Sequence, residues 1–272
     1  MIEEAHIDWE DAFSNAAYIP DGMRFPDLWE KRAAAFRNQC PPQLNIRYGD
    51  RPRETYDLFT PAGGPKGLAV FIHGGYWLDF DKSSWSDLAE GSLKHGWAVM
   101  LPSYSLAPEV TIPEISNQIS NAIEAAGKII EGPIRIAGHS AGGHLATRMV
   151  CENSPLAADV ASRIERIVSI SGLHDLRPLL KHSMNQKLSL SEESAVLESP
   201  ALHKPMPDID VVAWVGERER PEFFRQSAIL AENWRNQVLS MQLVADPKRH
   251  HFDVIDGLKD PEHPLALAVA GD

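Results

Sequence analysis

The sequence contains little cysteine and few basic residues. Its 272 residues include two cysteines, Cys40 and Cys151, which excludes a disulfide framework and favours a reduced compartment. Lysine and arginine total 26 against 38 aspartates and glutamates, giving a formal net charge of -12. A nucleic-acid surface needs clustered basic side chains to displace counterions from phosphates. The acidic balance therefore argues against nucleic acid and against an anionic membrane as partners.

Long apolar runs and targeting signals are also lacking. The longest apolar runs, such as residues 68–72, are far shorter than the roughly 20 residues of a membrane helix. The start, MIEEAHIDWEDAF, has neither the basic nor the apolar region of a secretory signal. We therefore expect a cytoplasmic protein. The sequence does not fix the oligomeric state, and a homodimer is compatible with it.

Metal and phosphate motifs are missing as well. The sequence has no H-E-x-x-H, no C-x-x-C and no EF-hand loop, and no Walker pattern follows Gly63 and Gly64. We therefore expect neither a metal ion nor any other cofactor.

From about residue 44 onward, short β-like runs alternate with helical stretches. The β-like runs cover residues 55–59, 68–72, 98–102, 134–137, 167–170, 211–215 and 238–244. Several are apolar on successive residues, which is typical of strands buried on both faces. Helices are predicted after a T-x-x-E capping box at Thr111, from residue 141 to about 151, and from 221 to about 234. The alternation predicts an α/β protein with a mainly parallel central sheet and helices on both faces.

We expect one domain over residues 1–272 with two additions. Residues 1–43 form the first, which we call the N-terminal extension; its aromatic side chains are too many for a loose tail, so it should pack on the domain. Residues 173–207 form the second, which has no strand signal and lies between two predicted strands. Such an insertion can form a small lid over a site, and a surface excursion with short helices is the alternative.

Residues 138–142 match G-x-S-x-G, with Ser140 at the centre. Alone the match is weak, because it would arise by chance in roughly one chain in ten of this length. Here it lies between a predicted strand and a predicted helix, which is the setting of a nucleophile elbow. The strand-turn-helix context therefore predicts a serine hydrolase of the α/β-hydrolase fold.

The segment His73-Gly74-Gly75-Tyr76-Trp77 follows a predicted strand upstream of this elbow. Paired glycines let such a loop aim backbone N–H groups at a developing oxyanion. We therefore predict an oxyanion hole formed by the amides of Gly75, Tyr76 and Ala141.

A serine nucleophile needs a histidine base and an orienting carboxylate, which follow it in this fold in the order acid, then histidine. The loop after the strand at 211–215 contains Glu217 and Glu219, and the loop after the strand at 238–244 contains His250 and His251. Spacing does not decide within either pair. His73, His139 and His144 flank motifs, and we interpret them as orienting or packing residues rather than as bases.

With these residues in place, the chain resembles the kynurenine formamidase (arylformamidase) family and its close esterase relatives. The H-G-G-x-W motif at residues 73–77 is the most specific match, supported by residues 104–109, 138–143, 171–176, 216–227 and 250–252. The resemblance covers roughly residues 10 to 258. The glutamate in the loop at 216–221 departs mildly from the family, whose acid is more often aspartate.

The resemblance implies roles for individual residues. It assigns the acid to Glu219 and the base to His251, and its oxyanion donors map to Gly75 and Tyr76. Around the substrate we place His73, Gly74, Trp77, Tyr104 and His139. The resemblance also implies the substrate, the formamide of N-formyl-L-kynurenine, a small acyl compound.

Two other functions remain open. A carboxylesterase or thioesterase for short acyl groups shares this mechanism, and a non-catalytic binding module on the same fold is the third hypothesis. For a substrate carboxylate, Arg177 and Arg220 are named as candidates without further support.

Overall fold

The computed structural model describes residues 7–271 of the chain. Its centre is one eight-stranded sheet, whose strands are β1 (Gln43–Arg47), β2 (Thr55–Phe59), β3 (Leu68–Ile72), β4 (Ala98–Pro102), β5 (Ile134–His139), β6 (Ile164–Ile170), β7 (Asp210–Gly216) and β8 (Ser240–Asp246). They lie in the order β1-β2-β4-β3-β5-β6-β7-β8. The pairings of β1 with β2 and of β2 with β4 are antiparallel, and the others are parallel. The predicted, mainly parallel sheet is confirmed.

The seven predicted strands correspond to β2 to β8, and β1 is an addition that the pattern did not reveal. Four of the five residues of β1 are exposed, because it lies at the edge of the sheet and contacts one neighbour. An exposed edge strand needs no apolar run, so its sequence, QLNIR, lacks the signal that identified the others.

Helices cover the sheet: α1 (Trp9–Ala12), α2 (Phe25–Gln39), α3 (Glu90–Lys94), α4 (Ile112–Gly127), α5 (Ala141–Arg148), α6 (Ala158–Ala161), α7 (Asn185–Leu188), α8 (Glu192–Leu197), α9 (Pro221–Trp234) and α10 (Pro264–Ala270). The three predicted helices correspond to α4, α5 and α9. Helix α5 ends before residue 151, and Cys151 instead forms a β-bridge with Pro205. None of the helices within residues 7–271 is long and apolar enough to cross a membrane.

The central strands separate two apolar cores. In β3, Leu68, Val70 and Ile72 pack into the core on one face of the sheet, while Ala69 and Phe71 pack into the core on the other face. Successive side chains of a strand point to opposite faces, so a strand covered on both sides must be apolar throughout. This explains the uninterrupted apolar run at residues 68–72.

The N-terminal extension packs against this body through aromatic side chains. Phe13 and Trp29 are each 2% exposed, and they belong to the cores on opposite faces of the sheet. Residues 1–6 of the predicted extension lie outside the described residues.

The insertion at 173–207 consists of short helices that alternate with turns. Leu173, Leu176 and Leu179 are fully buried, so its first part belongs to the core. Its function as a lid stays a prediction.

A buried ion pair fixes the insertion to the helix that follows the elbow. Arg148 Nε in α5 lies 3.2 Å from Glu198 Oε2, and each side chain is 3% exposed. The same carboxylate oxygen accepts a hydrogen bond of 2.7 Å from the Ser116 hydroxyl. Removing one partner of such a pair leaves an uncompensated buried charge.

We therefore expect Glu198→Ala to lower the free energy of unfolding by about 3 kcal/mol, because the Arg148 charge then stays buried without its partner. Urea unfolding of the wild type and the variant measures this difference. The double variant Arg148→Met/Glu198→Leu is the control, since replacing both charges by apolar groups should recover most of the loss. A single variant as stable as the wild type would contradict the prediction.

Candidate active site

Ser140 lies in a sharp turn between β5 and α5. Its backbone has a positive φ, with φ 56° and ψ -119°, and its amide donates to the Ile170 carbonyl at 2.8 Å. A Cβ on Gly142 would lie 2.0 Å from the carbonyl oxygen of Ile72, and one on Gly138 would lie 2.0 Å from that of Gly142. Only glycine permits approaches this close. The close packing of this turn therefore requires both glycines of the G-x-S-x-G motif.

The structure brings His251 and Glu219 together below the turn. Nδ1 of His251 lies 2.6 Å from Oε2 of Glu219, and both side chains are buried. The other carboxylate oxygen accepts hydrogen bonds from the Gly216 amide at 2.7 Å and from the Ser171 hydroxyl at 2.5 Å. Because Nδ1 is bound to the carboxylate, Nε2 is the ring nitrogen left for Ser140, which lines the same cavity as His251.

The alternatives that spacing left open lie elsewhere. Glu217 is exposed to solvent. His250 pairs with Asp253, with 3.1 Å between Nδ1 and Oδ1, and its ring packs edge-on against Phe25. Neither Glu217 nor His250 lines the cavity that contains Ser140.

Ser171 is a site residue that the sequence reasoning missed. It directly follows β6, has a left-handed backbone with φ 52°, and its amide donates to the Trp214 carbonyl at 2.7 Å. This conformation directs its hydroxyl to Glu219, as described above. Its place at the end of a parallel strand, next to the strand that carries Ser140, is the signal that could have identified it.

Residues 74–79 form a loop, here called the oxyanion loop, with an unusual run of left-handed backbone. The φ angles of Gly75, Tyr76 and Trp77 are 106°, 52° and 59°. The turn is closed by the amides of Leu78 and Asp79, which both donate to the Gly75 carbonyl, at 2.9 and 3.0 Å. Non-glycine residues adopt this conformation at an energetic cost, so other contacts must hold the loop.

The oxyanion loop lies against Ser140. A Cβ on Gly74 would lie 2.9 Å from Cβ of Ser140, so glycine is required for this approach. Among the described hydrogen bonds, the amides of Gly75, Tyr76 and Ala141 have no acceptor within the protein. Ala141 is also the first residue of α5, where the helix dipole favours negative charge. The three amides therefore have free capacity to bind an oxyanion.

Three of the residues expected around the substrate lie beneath the loop instead. His73 and Tyr104 stack with ring centroids 4.3 Å apart, and the Tyr104 hydroxyl donates to the His73 carbonyl at 2.9 Å. Trp77 is fully buried and packs edge-on against His144. None of His73, Trp77 and Tyr104 lines the cavity, whereas Gly74 and His139 do.

His139 contacts both the backbone and the ring of His251. Its Nε2 donates to the backbone carbonyl of His251 at 2.9 Å, and the two rings lie 4.7 Å apart. Burial, with a smaller contribution from the nearby His251, holds the pKa of His139 well below its ordinary value. A neutral His139 does not repel the positive charge that a base acquires on taking a proton.

Ser140 and His251 open into a cavity of about 430 Å³. Six of its eighteen lining residues are Phe, Trp or Tyr, and five come from the N-terminal extension before residue 17. The lining residues are Glu10, Phe13, Ser14, Asn15, Ala16, Trp29, Gly74, Gly75, Tyr76, Asp79, Phe80, Trp85, His139, Ser140, His182, Met184, His251 and Phe252. The insertion contributes two of them, His182 and Met184.

The charges of the cavity are acidic. Glu10 and Asp79 line it, and no lysine or arginine is among its lining residues. Glu10 accepts hydrogen bonds from the amide and the hydroxyl of Ser183, at 2.5 and 2.8 Å. Among the described side-chain contacts Asp79 has no partner, and it is exposed. Glu10 Oε2 also lies 3.4 Å from Nε2 of His182, and the formal charges of the lining favour a cation over an anion.

The two arginines named as candidates for a substrate carboxylate are engaged elsewhere. Nε of Arg177 lies 2.8 Å from Oδ1 of Asp175. Arg220 pairs with Asp11, and its guanidinium lies 3.7 Å above the Tyr18 ring. Neither arginine lines the cavity.

Comparisons with known proteins found relatives of this chain in sequence and in structure. Kynurenine formamidase from Danio rerio is 27% identical over 233 residues, covering 82% of this chain and 78% of the relative. The Salmo salar kynurenine formamidase is 28% identical over 234 residues, 82% of this chain and 79% of the relative. A crystal structure from Silicibacter sp. TM1040, provisionally named a thioesterase, is 47% identical with a TM-score of 0.91, and covers 97% of this chain and 99% of its own.

A family model covers the centre of the chain. The BD-FAE model matches residues 56–226, which include the oxyanion loop, Ser140 and Glu219 and end before His251. The predicted α/β-hydrolase fold is confirmed by the structural neighbours, which are esterases of that fold. The chain is therefore a hydrolase with the α/β-hydrolase fold, and it belongs to the BD-FAE family.

Proposed function

We propose that this serine hydrolase removes the formyl group of N-formyl-L-kynurenine, with Ser140, His251 and Glu219 as its catalytic triad. The observation that carries the proposal is the His251–Glu219 contact of 2.6 Å beside Ser140 in an aromatic cavity. Support for the substrate comes from the kynurenine formamidases, which match about four fifths of the chain.

In the proposed acylation, Nε2 of His251 takes the Ser140 proton as Oγ attacks the formyl carbon. The carbonyl oxygen becomes an oxyanion, and the amides of Gly75, Tyr76 and Ala141 donate to it. Glu219 orients the imidazole and stabilises its positive charge. The C–N bond then breaks, and His251 returns the proton to the departing aromatic amine.

Deacylation repeats these steps with water in place of Ser140 as the attacking group. A water molecule loses a proton to His251 and attacks the formyl-enzyme, and a second oxyanion forms at the same amides. The Ser140 Oγ–C bond breaks, Oγ regains the proton, and formate leaves. The aromatic amine is a weak base, so it leaves more easily than an alkyl amine would, and the aromatic walls suit its ring.

The cavity charges suggest how the amino-acid end of this substrate is held. Without a lysine or arginine in its lining, the cavity offers no cation for the α-carboxylate. Glu10 and Asp79 instead favour the α-ammonium group, which the aromatic walls also attract. We therefore propose recognition through the ammonium group, with the carboxylate directed toward solvent.

The second candidate is a thioesterase for short acyl groups. It is favoured by the 47% identity and TM-score of 0.91 to the provisionally named thioesterase. A thioester would pass through the same acyl-enzyme, so the triad does not separate the two functions.

A cytoplasmic location remains part of the proposal. It is supported by the low cysteine content, and both Cys40 and Cys151 are free thiols in the fold.

We expect Glu219→Gln to lower kcat by about 1,000-fold or more, because an amide cannot stabilise the imidazolium of His251. Glu217→Gln is the matched control two residues away, and it should keep kcat within about twofold since its side chain is exposed. Steady-state kinetics on whichever substrate the wild type cleaves measure both. The reverse ranking would move the acid to Glu217.

The substrate is tested by kcat/KM for N-formyl-L-kynurenine, a short-chain nitrophenyl ester and a short-chain acyl thioester, measured with one enzyme preparation. A preference for the formamide is the expected result. Ser140→Ala supplies the blank and should abolish turnover of all three substrates. Thioester or ester turnover with little formamide cleavage would instead support the second candidate.

Recognition of the ammonium group predicts that two analogues of the formamide substrate differ in kcat/KM. The formamide analogue that lacks the α-carboxylate should retain most of kcat/KM, and the analogue that lacks the α-ammonium should lose more. Asp79→Asn should reduce the preference between them by about threefold, as expected for an exposed charge. Glu131→Gln, an exposed acid outside the cavity lining, is the control. A larger loss on removing the carboxylate would refute this mode of binding.

A further inference from the structure

The oxyanion loop adopts a conformation that its own backbone does not favour. Tyr76 and Trp77 both have left-handed φ angles, of 52° and 59°, although neither is glycine. Such residues persist where surrounding contacts over-determine them. The contacts that hold Tyr76 therefore decide where its amide, one of the proposed oxyanion donors, points.

The Tyr76 side chain leaves the loop and binds the N-terminal extension. Its hydroxyl donates to the Phe13 carbonyl at 2.6 Å and accepts from Nδ2 of Asn15 at 3.3 Å. Burial, with smaller contributions from nearby glutamates, raises the pKa of Tyr76. The hydroxyl thus remains protonated and keeps its role as a donor.

The partner of this hydrogen bond is itself rigidly packed. Phe13 is 2% exposed, and its ring packs edge-on against His182 and Phe223, with centroids 5.9 and 6.3 Å away. Phe223 in turn lies 4.3 Å from the His251 ring. Through Phe13, the extension therefore contacts the oxyanion loop and also Phe223, which packs against the proposed base.

We propose that the Tyr76 hydroxyl is a positioning group for the oxyanion hole, and that the N-terminal extension sets the hole's geometry through it. The inference rests on the proposed function in one respect, that the Tyr76 amide is an oxyanion donor. It does not depend on whether the substrate is a formamide, an ester or a thioester.

The test is Tyr76→Phe, which keeps the ring and removes the hydroxyl. Because misplacing a catalytic group by about 1 Å can cost about 100-fold, we expect kcat to fall by about 10- to 100-fold with KM nearly unchanged. Rates are taken on the substrate that the wild type turns over best, so a failure of the formamidase proposal is detected separately in the wild type.

A second readout separates positioning from general damage. Ser140 Oγ adds to the boron of phenylboronic acid, its proton passes to His251, and the boron becomes a tetrahedral anion that resembles the transition state. In Tyr76→Phe the affinity for phenylboronic acid should fall by the same factor as kcat/KM. The inhibition constant of the amine, alcohol or thiol product should not change, because the product carries no oxyanion.

The matched control is Tyr48→Phe. Its hydroxyl also donates to a backbone carbonyl at 2.6 Å, that of Ser103, but Tyr48 does not line the cavity. This variant should leave kcat and the affinity for phenylboronic acid within about twofold of the wild type. If both tyrosine variants lose activity equally, the effect is one of stability and the proposal is wrong.

Two further outcomes would overturn the proposal. One is a folded Tyr76→Phe enzyme with unchanged kcat and phenylboronic acid affinity, and the other is a raised KM with unchanged kcat, which indicates substrate binding alone. Should Tyr76→Phe fail to fold, Asn15→Ala removes the second hydrogen bond of the same hydroxyl. It should lower kcat and phenylboronic acid affinity together by a smaller factor, and no change in either would refute the proposal.

Discussion

Backbone crowding at the junction of β3, β5 and α5 is the constraint on which the site depends. Ile72 pairs with Gly138 in the sheet, and its carbonyl oxygen leaves no room for a Cβ on Gly142. At the end of the neighbouring strand, a Cβ on Gly74 would lie 2.9 Å from Cβ of Ser140, which is also too close for a side chain. The sheet register thereby fixes Ser140 and the oxyanion loop relative to one another through backbone packing. This is why two glycine-rich motifs, more than sixty residues apart, define one site.

The N-terminal extension completes the site from the opposite side. Asp11 pairs with Arg220, and Tyr18 contacts both, so the extension holds the loop that carries the adjacent Glu219. It also binds the oxyanion loop and supplies a wall of the cavity. The N-terminal extension thus contacts Tyr76 of the oxyanion loop, Arg220, which follows Glu219, and Phe223, which packs against His251.

The sequence predicted the central sheet because buried parallel strands must be apolar on both faces, a signal that β3 shows clearly. It missed β1, whose exposed edge position leaves no such pattern. His73, Trp77 and Tyr104 were expected at the substrate because they lie in or near the sequence motifs. Proximity to a motif does not determine which way a side chain points or how deeply it is buried. These three side chains lie under the oxyanion loop. Ser171 was missed because its role depends on a neighbouring strand end, which is a tertiary fact.

A carboxylate partner distinguishes His251 from the other buried histidines of the described residues. Four other buried histidines bind carbonyl or hydroxyl groups: His73, His139, His144 and His174. Desolvation lowers the pKa of His73 to about 4 and that of His144 and His174 to about 3, so these rings stay neutral. His251 is equally buried but contacts the Glu219 carboxylate. A buried imidazole can accept a proton during catalysis when a carboxylate compensates its charge, and among these five rings His251 alone has that partner.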